Sequence, residues 1–323
     1  MRMWKIIVGA VFSALFLYLA FRAVRPEDLV EAFKQVDYLY AIPAALLIIV
    51  SLWLRAYRWR FILLAVKRIR VASLFHATCV GTMVNVVFPA RLGELVRAHV
   101  IGKREGISRS VSFATVVGER VFDGLALLLF LVIPLLSGSL YAPGRLREAE
   151  SCAIAGYVIA LAFLILLRGR SDAAMRVAAV ALGFVPEMMR TRLIAAVGSF
   201  VEGLGIFRGS KSIFASVLLS PVVWLPNVAM IHLLLAATGI HLGVPVSFLL
   251  LVALCIVVIV PSAPGYLGTV QFVCVGVLRF FGVPPGQALT FSIIYGVCVF
   301  VPILLAGLGC LVAVVSRVVR KFG

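Results

Sequence analysis

Charged side chains with chemistry-bearing spacing interrupt stretches that are otherwise apolar. In NVVFPARLGELVR, Arg91, Glu94 and Arg97 follow Pro89 and bracket Gly93, directly after the apolar run SLFHATCVGTMVN. In ATVVGERVFDGLALLLFLVIPLL, Glu119, Arg120 and Asp123 occupy the early part of a long hydrophobic segment. On a helix, Glu94 and Arg97 share a face, as do Glu119 and Asp123, and Arg120 reaches Asp123. Arginine forks bind two phosphate oxygens at once, and a helix restarting near Arg91 or Leu92 aims its free N–H groups and positive dipole end at the same place. The chemistry this predicts is anion binding. Arg91 and Arg120 are expected to face the anion, with Glu94, Glu119 and Asp123 holding them and Asn85 and Arg97 completing the site. Arg and Asp at a helix centre each oppose membrane insertion by roughly 2.5–3.5 kcal/mol, so the placement calls for a reason. The plainer alternative is interfacial charge that snorkels to water.

These charges need a membrane to be unusual in, and the composition supplies it. The chain has 323 residues, 63% hydrophobic and 13% charged, with mean hydropathy +1.15, which a soluble domain does not reach. Lys and Arg number 30 against 13 Asp and Glu; in such a chain the excess belongs to cytoplasmic loops, and with no compact basic fold or stacking platform no nucleic-acid partner is assigned. The six cysteines lie scattered in apolar stretches without CxxC spacing, and His76, His99 and His241 lack ligand-like partners, so no metal or cofactor is expected. The first residues resemble a signal peptide, but the apolar stretch is a full span with no small-residue cleavage site, and it reads as the first transmembrane helix.

Segments able to cross a roughly 30 Å hydrocarbon core lie near 4–21, 39–54, 111–136, 152–167, 213–236 and 287–315. Two further runs, 71–101 and 246–281, are apolar on both sides of a Pro/Gly break: VFPARLG and VPSAPGYLG. Each fits two short spans or one hairpin that enters and leaves by one face. Basic clusters at the N-terminus, at 55–70 (Arg55, Arg58, Arg60, Lys67, Arg68, Arg70), at 168–212 and at the C-terminus all favour the cytoplasm. An all-α integral membrane protein with about six transmembrane helices and two re-entrant hairpins satisfies all of these, with both termini cytoplasmic. The first hairpin then dips from the cytoplasm and the second from outside. Residues 1–323 form one polytopic domain: a first half to about 167, a cytoplasmic interfacial segment 168–212, and a second half 213–323.

The breaks superimpose as P-x-x-L-G, Pro89 to Gly93 and Pro264 to Gly268, and Gly106-Ile107 and Gly282-Val283 follow 13 and 14 residues later. Opposite entry faces make this an inverted-topology repeat, the arrangement in which paired broken helices mark a transporter's midplane site. Broken backbone at that depth must line protein or a water-filled cavity. Pro89, Gly93, Pro261, Pro264, Gly265 and Gly268 are therefore expected to act as hinges and backbone donors. The second half holds a single charged residue, Arg279, between Ile213 and Ser316, so its contribution falls to Tyr266, Thr269 and Gln271 beside the break.

The strings NVVFPARLGELVRAHVIGKREGISRSVSFATVVGERVFD and VPSAPGYLGTVQFVCVGVLRFFGVPPGQAL resemble the membrane region of lysylphosphatidylglycerol synthases, a group that includes stand-alone proteins of the uncharacterised family UPF0104. The most specific matches are Asn85, Pro89, Arg91, Gly93, Glu94 and Arg97; Glu119, Arg120 and Asp123; and Pro261, Pro264, Gly265 and Gly268. The resemblance covers nearly the whole chain and implies a region that moves lipids between leaflets; relatives are linked to polyprenyl-phosphate sugar and hopanoid pathways. Bifunctional members add a soluble aminoacyl-transfer domain, which is absent before Gly323, so aminoacyl transfer is not expected of this chain. The leading expectation is a flippase-like transporter of an anionic or polyprenyl-phosphate-linked lipid in the cell membrane. The alternatives are an integral-membrane lipid-modifying transferase using Glu119 or Asp123 as base, and a scaffold for a separate lipid-synthesising enzyme. A homo-oligomer is compatible with each.

Overall fold

The computed structural model describes residues 14–136 and 211–322, apart from 23, 65, 89–91 and 259–262. Among the described residues the chain is helical, with no strand. Residues 14–21 form α1. The remaining helices are α2 (Pro26–Lys34), α3 (Ala41–Leu63), α4 (Val71–Val87), α5 (Gly93–Glu105), α6 (Arg109–Leu136), α7 (Lys211–Ala237), α8 (Val244–Val257), α9 (Thr269–Phe280) and α10 (Pro285–Phe322). Among the described residues three segments are long and apolar enough to cross a membrane: Tyr38–Leu63, Phe214–Ala237 and Pro285–Ala313. α4 and α8 are apolar but shorter. The expected span near 152–167 and the interfacial segment to residue 210 lie outside the described residues.

Local chemistry accounts for the helix ends. Pro26 opens α2 and Pro285 opens α10, where a missing N–H costs nothing. Glu27 and Asp28 in the first turn of α2 and Lys34 in its last complement the helix dipole. α5 ends at Gly106, in the left-handed region at φ 68°, with Ile107 N–H donating to the Gly102 carbonyl at 3.1 Å. α9 ends the same way: Gly282 has φ 78°, and Val283 N–H donates to the Leu278 carbonyl at 3.1 Å. Both are caps in which a glycine without Cβ turns the chain and a following N–H satisfies a terminal carbonyl. They are the two glycines that the sequence repeat pairs.

α3 is the backbone of the fold. It packs along α7 and also against α4, α6 and α10, while α4 pairs with α5 and α8 with α9. One apolar cluster joins Ala44, Ile48 and Leu52 of α3 to α7, α8, α9 and α10; a second gathers Trp59, Ile62 and Leu63 of α3 with Leu74, Ala77, Ala98, Ile101 and Val116. Lys67 Nζ donates to the Glu105 carbonyl at 2.6 Å, tying the chain before α4 to the end of α5. At the far end of α3, Asp37 N–H donates to the Ala237 carbonyl at 2.9 Å, and Gln287 Nε2 donates to the Thr238 carbonyl at 2.8 Å.

One expectation is corrected. The span placed at 39–54 continues as helix to Leu63, so Arg55, Arg58 and Arg60 are helical rather than the start of a basic loop. The chain stays helical because the first two of these arginines find partners inside the protein, whereas Arg60 is exposed. The hairpin helices also run slightly past their expected bounds, to Glu105 in the first and from Val244 in the second.

Candidate functional site

The first break is closed by glycine and an amide. α4 and α5 approach so closely that a Cβ at Gly93 would overlap the Gly81 carbonyl oxygen and lie 2.5 Å from Asn85 Oδ1, and one at Gly81 would lie 2.9 Å from Arg97 Cβ. Asn85 Oδ1 accepts from the Gly93 N–H at 2.7 Å, satisfying a donor orphaned where α5 starts. This fixes the start of α5 and thereby aims Arg97, one turn on, at α6. Pro89 and Arg91 lie outside the described residues.

The charges converge where α3, α5, α6 and α7 meet. Arg97 Nη1 lies 2.6 Å from Glu119 Oε2, and its guanidinium stacks 3.7 Å from the centroid of a Trp59 ring. Trp59 is fixed in turn by its indole N–H, which donates to Thr115 Oγ1 at 3.0 Å. Arg58, fully buried, lies 2.9 Å from Glu119 and 2.7 Å from Asp123, and donates to Ser220 Oγ at 3.0 Å. Arg120 lies 3.3 Å from the other oxygen of Asp123. Trp224 donates its indole N–H to Asp123 Oδ1 at 3.1 Å, and its ring carries the Arg55 guanidinium 4.2 Å above the centroid. Glu94 is half-buried, close enough to act electrostatically on Arg120, and its buried Oε2 has no hydrogen-bond partner.

Of the expected residues, Arg97, Glu119, Arg120 and Asp123 meet in this network, with Glu94 at its edge. Arg55, Arg58, Trp59, Ser220 and Trp224 are the members that sequence reasoning missed. A signal was present: Ser51, Arg55 and Arg58 recur on one face of a span. Ser51 is itself paired across to α7, accepting from Asn227 Nδ2 at 2.8 Å.

The second break meets the first without joining the charges. Pro264–Tyr266 forms a single turn in which Gly265 (φ 73°), Tyr266 (φ 56°) and Gly268 (φ 86°) all have left-handed backbone. Gln271 Oε1 accepts from the Gly268 N–H at 2.7 Å, and Thr269 Oγ1 donates to the Tyr266 carbonyl at 2.8 Å. Tyr266 holds a conformation costly for a residue with a Cβ, and its hydroxyl donates to the Asn85 carbonyl at 3.1 Å. That carbonyl ends α4 and has no helical acceptor role left, so one hairpin satisfies the other. Pro261 lies outside the described residues.

Residues 6–307 match the family described as the lysylphosphatidylglycerol synthase TM region. The chain belongs to that family. It is a multi-pass membrane protein, as its apolar helices require. A UPF0104 membrane protein of Methanothermobacter thermautotrophicus is 23% identical over 302 residues, covering 90% of this chain and 88% of that one. A second UPF0104 membrane protein from the same organism is 24% identical, over 80% of this chain and 78% of that protein. Glycosyltransferase AglD of Haloferax volcanii is 27% identical over 81% of this chain, which spans only 47% of AglD. The lysylphosphatidylglycerol synthase TM-region match includes both breaks and every charged residue of the network.

Proposed function

We propose that the protein is a flippase-like transporter that takes an anionic or polyprenyl-phosphate-linked lipid by its headgroup at the arginine network and moves it between leaflets. The observation that carries this reading is the network itself. Arg58 and Arg97 are committed to carboxylates in the interior, whereas the Arg120 side chain is 36% exposed and makes the longest of the four ion pairs. A buried framework that orients a more exposed arginine suits an incoming phosphate better than it suits stability alone, since buried ion pairs contribute little net stability. Membership of a lipid-related membrane family supports the same direction.

In this reading the two halves, about 1–167 and 213–323, form an inverted repeat of about six spans with α4–α5 and α8–α9 re-entrant from opposite faces, and 168–212 is a cytoplasmic segment able to meet a separate lipid-synthesising enzyme. Support comes from the bonds that gather hairpin ends. Lys67 to Glu105 joins both ends of the first hairpin at one end of α3. The starts of α8 and α10 lie with the end of α7 and with Asp37 at the other. The first of these ends carries exposed Arg60, Lys67, Arg68, Arg70, Lys103 and Arg104, whereas at the second exposed Glu27, Asp28, Glu31 and Asp37 balance exposed Arg22, Arg25 and Lys34. Positive-inside bias then makes the first end cytoplasmic, with both termini on that side of the cell membrane.

The test is lipid movement in reconstituted vesicles, followed by dithionite quenching of a fluorescent headgroup-labelled phosphatidylglycerol. Wild type is expected to expose the inner-leaflet pool and Arg120→Gln to lose at least tenfold in rate. Equal rates from two well-folded proteins refute the reading. The likeness to AglD favours one second reading, in which the lipid is a polyprenyl phosphate carrying sugar and the chain serves, or takes part in, glycosyl transfer. Sugar transfer from a labelled polyprenyl-phosphate donor by the purified chain would establish that reading in place of transport.

A further inference from the structure

Arg55 stands apart from the ion pairs its neighbours make. Among the described residues, Arg58, Arg97 and Arg120 each have a carboxylate oxygen within 4.0 Å, and Arg55 has none. It is held instead by the Trp224 ring at 4.2 Å, and Trp224 is itself anchored to Asp123. Stacking uses the face of the guanidinium and leaves its N–H donors, all in the plane, free to point at a ligand. The side chain is half-buried, within the electrostatic reach of Asp123, Arg120, Arg58 and Glu119. A cation there without a carboxylate is a poor choice for stability and a good one for recognition.

Arg120 is its natural partner. Its Nε is buried without a hydrogen-bond partner, and its contact with Asp123 is 3.3 Å. Arg120 contacts Asp123 directly and Arg55 stacks on the Trp224 ring that donates to the same carboxylate, while Arg58 has its Nη groups committed to Glu119, Asp123 and Ser220.

We propose that Arg55, presented on Trp224, binds the phosphate of the lipid headgroup jointly with Arg120 and is the residue that makes the site prefer an anionic phosphate lipid to a zwitterionic one. This rests on the lipid-binding reading above and assigns its specificity. Two cations around one phosphate over-compensate a headgroup that carries its own ammonium, so removing Arg55 should erase the preference rather than weaken all lipids alike.

The experiment is native mass spectrometry of the full chain in detergent, titrated with dioleoyl phosphatidylglycerol or dioleoyl phosphatidylcholine, with inorganic phosphate as competitor. Wild type is expected to bind phosphatidylglycerol at least tenfold more tightly than phosphatidylcholine. Arg55→Gln should lose that ratio with phosphatidylcholine affinity unchanged, and Arg55→Lys, which keeps charge without the planar fork, should fall between. Thermal melts accompany each variant; if Arg55→Gln does not fold, Arg55→Lys decides by whether the ratio falls. An unchanged ratio in Arg55→Gln, or in Arg55→Lys where that variant decides, with Arg120→Gln weakened, overturns the assignment of Arg55 and leaves the transport reading standing. A wild type with no preference overturns both. Displacement of the lipid by inorganic phosphate at comparable concentration would assign the pair to free phosphate and overturn the lipid assignment.

Discussion

Replacing Arg58 by Gln should be the most damaging single change to the folded protein outside its apolar core. Arg58 is fully buried and makes two ion pairs, at 2.9 Å to Glu119 and 2.7 Å to Asp123, plus a hydrogen bond to Ser220. Its loss leaves Glu119 with Arg97 alone and Asp123 with the longer Arg120 contact and the Trp224 indole. The two carboxylates are one helical turn apart and nearly inaccessible, so their mutual repulsion is then opposed by those remaining contacts alone. Removing one partner of a buried pair costs about 3–5 kcal/mol because the other charge is left uncompensated. At roughly 2–4 °C per kcal/mol the melting temperature should fall by on the order of 10 °C. Cys79 and Cys274 are buried free thiols, so a thiol-reactive dye reports unfolding directly. Coupling should follow: when Asp123 is already replaced by Asn, Arg58→Gln should cost less than in the wild type by about 1 kcal/mol or more, because one of the two charges it leaves behind is gone. A loss below about 1 kcal/mol for Arg58→Gln alone, or strict additivity of the two substitutions, refutes the account.

Further expectations concern the breaks. Gly93→Ala should prevent α4 and α5 from closing, since its Cβ would overlap backbone, whereas Gly124→Ala meets nothing within 4 Å and should be neutral or slightly stabilising by thermal melt. Asn85→Ala removes the side-chain acceptor from the Gly93 N–H and should cost about 0.5–2 kcal/mol in the same measurement. Tyr266→Phe leaves the Asn85 carbonyl without its cross-hairpin donor; a loss of about 1–3 kcal/mol is expected, and no change would mean the two hairpins are held by packing alone.

Much of this was legible in the sequence, for a physical reason. The glycine ends at Gly106 and Gly282 and the grouping of Glu119, Arg120 and Asp123 follow from local rules: backbone that only glycine adopts easily, and side chains three or four residues apart on a helix. Arg97 does not, because its carboxylate is Glu119 of another helix and not Glu94 three residues before it. Arg55 and Arg58 were hidden by a rule of a different kind. A count of basic residues treats Arg58 and Arg60 alike, yet one is fully buried and the other exposed two residues later. What separates them is the opposing helix: Ser220, Trp224 and Asn227 of α7 stand at the four- and three-residue spacing that meets Ser51, Arg55 and Arg58 of α3. Such a match between elements some 160 residues apart is visible only when both polar stripes are known to face each other.

The two breaks solve one problem by the same means. Where α5 restarts, Gly93 gives its N–H to an amide oxygen of Asn85, and at the start of α9 Gly268 gives its N–H to an amide oxygen of Gln271, both at 2.7 Å. The Asn85 carbonyl near the end of α4 is taken by Tyr266 from the other break. Among the described residues beside the breaks, these three backbone groups are met by protein side chains. Among the described residues of the network, Arg58 and Arg97 are buried and hold Glu119 and Asp123 in place, whereas Arg120 and Arg55 are half-buried, the first with the longest ion pair of the group and the second with none. If these two arginines take a lipid phosphate as proposed, their partial exposure beside a framework whose carboxylates are already paired lets them release it as well as bind it, which transport requires and storage does not.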